Sequence, residues 1–85
     1  MNKRRVVELT GKAQGLPAAV HIGKDGITQT VIDEVMRQLK NTKLVKIRLL
    51  PSLEKDRKVA GADLAMATSS VLVEVRGRTV VLATE

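Results

Sequence analysis

Two glycines three residues apart, in Gly23-Lys24-Asp25-Gly26, sit between a short apolar run and a helix-like pattern. Glycine reaches positive φ and tolerates close approach, so such a turn can bring its backbone against a ligand. The helix that follows points free N–H groups and the positive end of its dipole at the turn. That is chemistry for a phosphate, with Lys24 adding charge and Thr28 placed to cap the helix. The same residues also make a plain tight turn, and spacing alone does not separate the two. Asp25 either points away from a bound phosphate or hydrogen-bonds the loop itself; both fit the sequence. A Walker A loop is excluded, because the glycines stand too close and no Gly-Lys-Ser/Thr follows. A dinucleotide fingerprint lacks its third glycine.

The other candidates are cations. Lys46 and Arg48 share one side of an alternating stretch, and Arg76 and Arg78 flank Gly77. Brought together, these four would hold phosphates without reading bases. Lys12, with Lys3, Arg4 and Arg5, either extends that patch or belongs to a mobile basic arm. Arg57 and Lys58 lie among Glu54, Asp56 and Asp63, the pattern of a solvated helix face. His21, the only histidine, has no identifiable nucleophile or carboxylate partner; it reads as a strand residue able to hydrogen-bond a nucleic acid. Thr68-Ser69-Ser70 has no base beside it and reads as a helix-to-strand loop. No carboxylate spacing suits a metal. The expectation is no cofactor, no small-molecule substrate and no enzyme activity.

Composition narrows the partner. Fifteen Lys and Arg against nine Asp and Glu give a net charge of +6 in 85 residues, with a pI near 10.2. Such an imbalance points to a polyanion, with RNA ahead of DNA, and an acidic protein surface as the alternative from another class. There is no Phe, Trp or Tyr, so the core is aliphatic and base stacking on aromatic rings is excluded. There is no Cys, which excludes disulfides, thiolate-zinc sites and cysteine nucleophiles. The basic start runs straight into Glu8 without the apolar core of a signal peptide. No stretch approaches the roughly 20 apolar residues of a membrane span. The expectation is a cytoplasmic protein of one domain, 1–85, with no membrane contact.

These residues need a scaffold. A first helix over 2–14 carries Val6, Val7 and Leu9 and is weakened by Gly11 and Gly15. Pro17 favours an extended entry to a short strand over 18–22. From 28 to 41, Val31, Ile32, Val35, Met36 and Leu39 recur at helical spacing, with Thr28 as N-cap and Asn41 as the stop. Over 43–50, Val45, Ile47 and Leu49 alternate with Lys46 and Arg48, a strand with one buried and one basic side. A third helix over 54–67 turns Val59, Ala60, Leu64 and Ala65 or Ala67 inward, with Gly61 as a flaw. Val71, Val73 and Val75 alternate with Glu74 and Arg76. Arg76-Gly77-Arg78 turns the chain into Val80-Val81-Leu82, which is apolar on both sides, as a central strand is. The expected order is α-β-α-β-α-β-β. Helix-separated strands should pair in parallel and the final hairpin should add an antiparallel pair, giving a four-stranded mixed sheet in an α/β (α+β) sandwich. Because His21, Lys46, Arg48, Glu74 and Arg76 recur on one side, helices should cover one face fully and the other in part.

The stretch "LPAAVHIGKDGITQTVIDEVMRQLKNTKLVKIRLL", Leu16 to Leu50, resembles the core of the CRM domain (chloroplast RNA splicing and ribosome maturation) in its stand-alone YhbY-like form. The shared features are the Leu-Pro step, a strand ending in Ile-Gly-Lys, the glycine loop, a helix opening with Ile-Thr, and Lys-Leu-Val-Lys-Ile-Arg entering the next strand. "VEVRGRTVVLAT" is similar to the family's last hairpin. The resemblance implies a fold related to the C-terminal domain of bacterial translation initiation factor three. It also implies RNA binding through the glycine loop, KH-like in spacing, and nearby basic surface. Association with precursors of the large ribosomal subunit follows, or, as in longer plant relatives, a part in intron splicing. Carried over by position, Gly23, Lys24, Asp25 and Gly26 take the loop's role.

Overall fold

The computed structural model describes residues 1–84 in the order α1 (Lys3–Gln14), β1 (Val20–Ile22), α2 (Gln29–Thr42), β2 (Leu44–Leu49), α3 (Arg57–Ala67), β3 (Val71–Arg76) and β4 (Thr79–Ala83). This is the expected succession of elements. The strands form one mixed sheet in the order β1-β2-β4-β3. β1 runs parallel to β2, and β4 is antiparallel to both of its neighbours. Parallel pairing of helix-separated strands therefore holds for β1 with β2 alone, because β4 inserts between β2 and β3. The reason lies in β4 itself: Val80, Val81, Leu82 and Ala83 are all buried, and only an inner position covers both sides of a strand.

The helices divide unequally between the faces. Val20, Ile22, Val45, Ile47, Leu49, Val80 and Leu82 point to one side and pack with Val35 and Leu39 of α2 and Ala60 and Leu64 of α3. On the other side α1 lays Leu9 and Ala13 over β2, β4 and β3. There Lys46 Nζ donates to the carbonyls of Ala13 at 3.2 Å and Leu16 at 3.1 Å, so its ammonium caps the end of α1. Beyond that end the second face is open.

Several local expectations shift. Met36 and Val59 are about half exposed, at 47% and 49%, since the inward rows are Val31-Val35-Leu39 and Ala60-Gly61-Leu64. α2 runs past Asn41 to Thr42 and ends at Lys43, whose φ is 62° and whose N–H reaches Leu39 O at 2.8 Å. α3 starts at Arg57 rather than near 54, because the Asp56 carboxylate accepts from the amides of Lys58 and Val59. The 71–75 alternation breaks at a bulge between Leu72 and Glu74, so Leu72 and Val75 join the core and Val73 is left unpaired. Gly61 is a fitted position: a Cβ there would stand 3.2 Å from both Leu72 Cδ1 and Val75 Cγ2.

Candidate functional site

Three connections meet at one end of the sheet. The glycine turn leaves β1, the 50–56 segment leaves β2, and the β3–β4 hairpin turns at Gly77. Leu49 N–H donates to Arg78 O at 2.7 Å, and a Cβ on Gly23 would lie 3.2 Å from Leu50 Cδ1 and 2.9 Å from Ser52 Oγ.

The turn itself closes by a hydrogen bond from Gly26 N–H to Gly23 O at 2.9 Å. Lys24 and Asp25 occupy its exposed tip. Gly26 has φ +72°, where an L side chain is strained, whereas Gly23 is needed for its close approach to the segment after β2. Thr28 caps α2, its Oγ1 accepting from Val31 N–H at 3.2 Å. That leaves the first-turn amides of Gln29 and Thr30 unclaimed within the helix. Asp25 makes no hydrogen bond to the loop; it is exposed and, with Lys24, borders one recess. A recess of about 440 Å³ beside the turn is lined by His21, Gly23, Lys24, Thr28 and Thr30.

From the turn, polar residues cross the sheet in one register row. His21 pairs with Arg48, Arg48 with Thr79, and Thr79 with Arg76, one residue from each strand. All four project on the side of α1, past the point where α1 stops; His21, Arg48 and Arg76 are exposed. At roughly 4.8 Å per strand the row spans about 14 Å. One step back toward α1 stand Lys46 and Glu74, flanking Val81. Glu74 lines a cleft of about 340 Å³ with Gln14, Arg76 and Thr79.

The other expected site residues fall elsewhere. Lys46 is on the same side as Arg48, but its charge is engaged by α1. Arg78 projects away from the row and lines a cleft with Leu53, Asp56 and Arg57. Lys12 borders an apolar groove with Leu16, Pro17 and Leu44, at the start of β2 and so at the far end from the turn. Lys3, Arg4 and Arg5 are helical rather than a mobile arm, and Arg5 pairs with Glu8 at 3.2 Å. Arg57, read from sequence as a solvated helix residue, donates to Gly77 O at 3.2 Å and joins Arg78 at the hairpin. No local signal could have shown this, because its partner lies 20 residues away. Thr68 is buried, bonding Leu64 O at 2.7 Å and Ser70 Oγ at 2.8 Å, which makes it a helix-ending residue. Among the described residues no His, Asp and Glu cluster is arranged to hold a metal, and no helix is long and apolar enough to cross a membrane.

Fold and site together define a small α+β domain with a glycine turn and a cationic half-face at one end of a four-stranded sheet. The CRS1/YhbY (CRM) domain model matches residues 1–83, and the chain belongs to that family. It is 30% identical over 74 residues to YqeI of Bacillus subtilis (strain 168), named as a probable RNA-binding protein; the match covers 87% of this chain and 77% of YqeI. The solution structure of the hypothetical protein SAV1595 from Staphylococcus aureus, put forward as an RNA-binding protein, superposes with a TM-score of 0.85 at 29% identity. That alignment covers 100% of this chain and 88% of SAV1595.

Proposed function

We propose that this chain is an RNA-binding module that grips phosphates and shape, and that it acts on ribosomal RNA in precursors of the large subunit. One observation carries the reading: the glycine turn, with Lys24 and the unclaimed amides of Gln29 and Thr30, lies at the same end of the sheet as Arg48 and Arg76. Backbone amides and cations converging on one surface suit a polyanion, and family membership and the names of the relatives support RNA. In this reading the chain works in the cytoplasm and performs no reaction of its own.

Lys24→Gln should weaken RNA binding while the thermal melt stays close to that of the parent, and the log–log salt slope should flatten by somewhat under one unit. Gly26→Asp should weaken binding too, with some loss of stability because the φ of +72° strains any side chain there. Unchanged affinity across a salt titration would remove the turn from the binding surface. Sequencing RNA cross-linked to the protein in cells tests the ribosomal assignment. The apolar groove beside Lys12, at the opposite end, favours a second reading, a protein-docking adaptor in a ribonucleoprotein or intron-splicing complex. Purification from lysate with and without nuclease separates the two, since a docked protein survives nuclease.

A further inference from the structure

Resting on that RNA-binding reading, we infer that the RNA is double-stranded where it touches the protein, its shallow groove lying across the row His21, Arg48, Thr79 and Arg76. The row is built for a rigid polyanion. Its residues are mounted on four hydrogen-bonded strands, so their spacing is fixed before any ligand arrives. Arg48 and Arg76 stand two strands apart, roughly 10 Å. A duplex presents about twice the charge per unit length of one strand and holds it in place already.

A single strand gains less from this surface. It must be ordered on the sheet, and proteins that do so stack its bases on aromatic rings, each stack worth roughly tenfold or more in affinity. The chain has no aromatic residue, so the ordering cost has no such return. Because α1 ends at Gln14, His21, Arg48 and Arg76 lie exposed to a ligand.

Two features favour an RNA duplex over DNA. Thr79 Oγ1 has no hydrogen-bond partner among the described residues, and it sits between the two arginines, with His21 at the row's end. Hydroxyl and imidazole interleaved with guanidinium groups suit a surface of 2′-hydroxyls and phosphates, which is what the wide minor groove of A-form RNA displays. Glu74, one step toward α1, sets the boundary: its carboxylate repels phosphates from the cleft and keeps the helix over the row.

The test measures fluorescence anisotropy of the full chain with three probes at one salt concentration. They are an RNA duplex of about 20 base pairs, longer than the row, an oligouridine of the same length, and a DNA duplex of matching sequence. The RNA duplex should bind tightest, with oligouridine weaker by about tenfold. Arg48→Gln with Arg76→Gln should cut duplex affinity by about tenfold and flatten its salt slope by about 1.8 units, with the circular-dichroism melt unchanged. Thr79→Val, which keeps the strand's shape, should bring the RNA-to-DNA ratio toward one. Oligouridine binding as tightly as the duplex would overturn the inference and leave the RNA reading standing. So would full duplex affinity in a folded double arginine variant. Failure of both RNA probes to bind would overturn the two together.

Discussion

Ile47 and Arg48 are neighbours in β2, yet Ile47 has no exposed surface and Arg48 lies open to solvent. The same contrast runs across the sheet. Val20, Ile47 and Val80 meet α2 and α3, while His21 and Arg48 lie exposed and Thr79 is half-buried beside the end of α1. Identical backbone pairing thus supports a core on one side and a ligand surface on the other. The difference is helix coverage, two helices against one that stops halfway. On the covered side the hydrophobic effect selects each residue; on the open side only solubility and a partner do.

That contrast can be broken most directly at the adjacent pair. Ile47→Ala should cost about 2–5 kcal/mol, a large part of a small domain's stability, read from urea denaturation. Arg48→Gln should stay within about 0.5 kcal/mol of the parent and show its effect in RNA affinity instead. Similar losses at both positions would mean that the second face is structural. At the glycine turn, Gly26→Ala should cost about 1–2 kcal/mol because its φ is +72°, although a Cβ there meets open space. Thr28→Ala should cost about 1 kcal/mol by losing the cap, and restoring Ser should recover most of it. A fully tolerated Gly26→Ala in a thermal melt would show that the turn's shape is not held by glycine.

The smallest effect belongs to the solvent side of α2. Hydrogen bonds from Arg37 and then Gln38 hold the Glu34 carboxyl below its ordinary value of 4.5. A carboxyl lowered in the folded state adds stability above that ordinary value and loses it as pH falls through the folded one. The stability difference between parent and Glu34→Gln should therefore shrink as pH drops below 4.5. The group is solvated, so the change is slight. A difference that grew on acidification would reverse the sign assigned here.

Much of this architecture is written in local pattern. The helical spacing of Val31, Val35 and Leu39, the period of two in Val45, Ile47 and Leu49, and the double-sided apolar run at Val80–Leu82 each report a neighbour that excludes water. Element order and the central place of β4 follow from these. Met36 and Val59 misled because a helical stripe has edges, and composition does not mark where a stripe ends. The bulge after Leu72 misled because alternation counts residues, whereas pairing can skip one.

For the site, the sequence by itself determined the ingredients: a glycine turn before a capped helix, an excess of cations, and a chain with no aromatic residue on which to stack bases. Only the tertiary structure decided which cations act together. It tied Lys46 to the end of α1, sent Arg78 to the other side with Arg57, carried Lys12 to the far end, and aligned His21, Arg48, Thr79 and Arg76 in one row. The physical reason is register. Which residues share a row depends on hydrogen bonds between strands far apart in the chain, and whether a charge is free depends on which helix end lies against it.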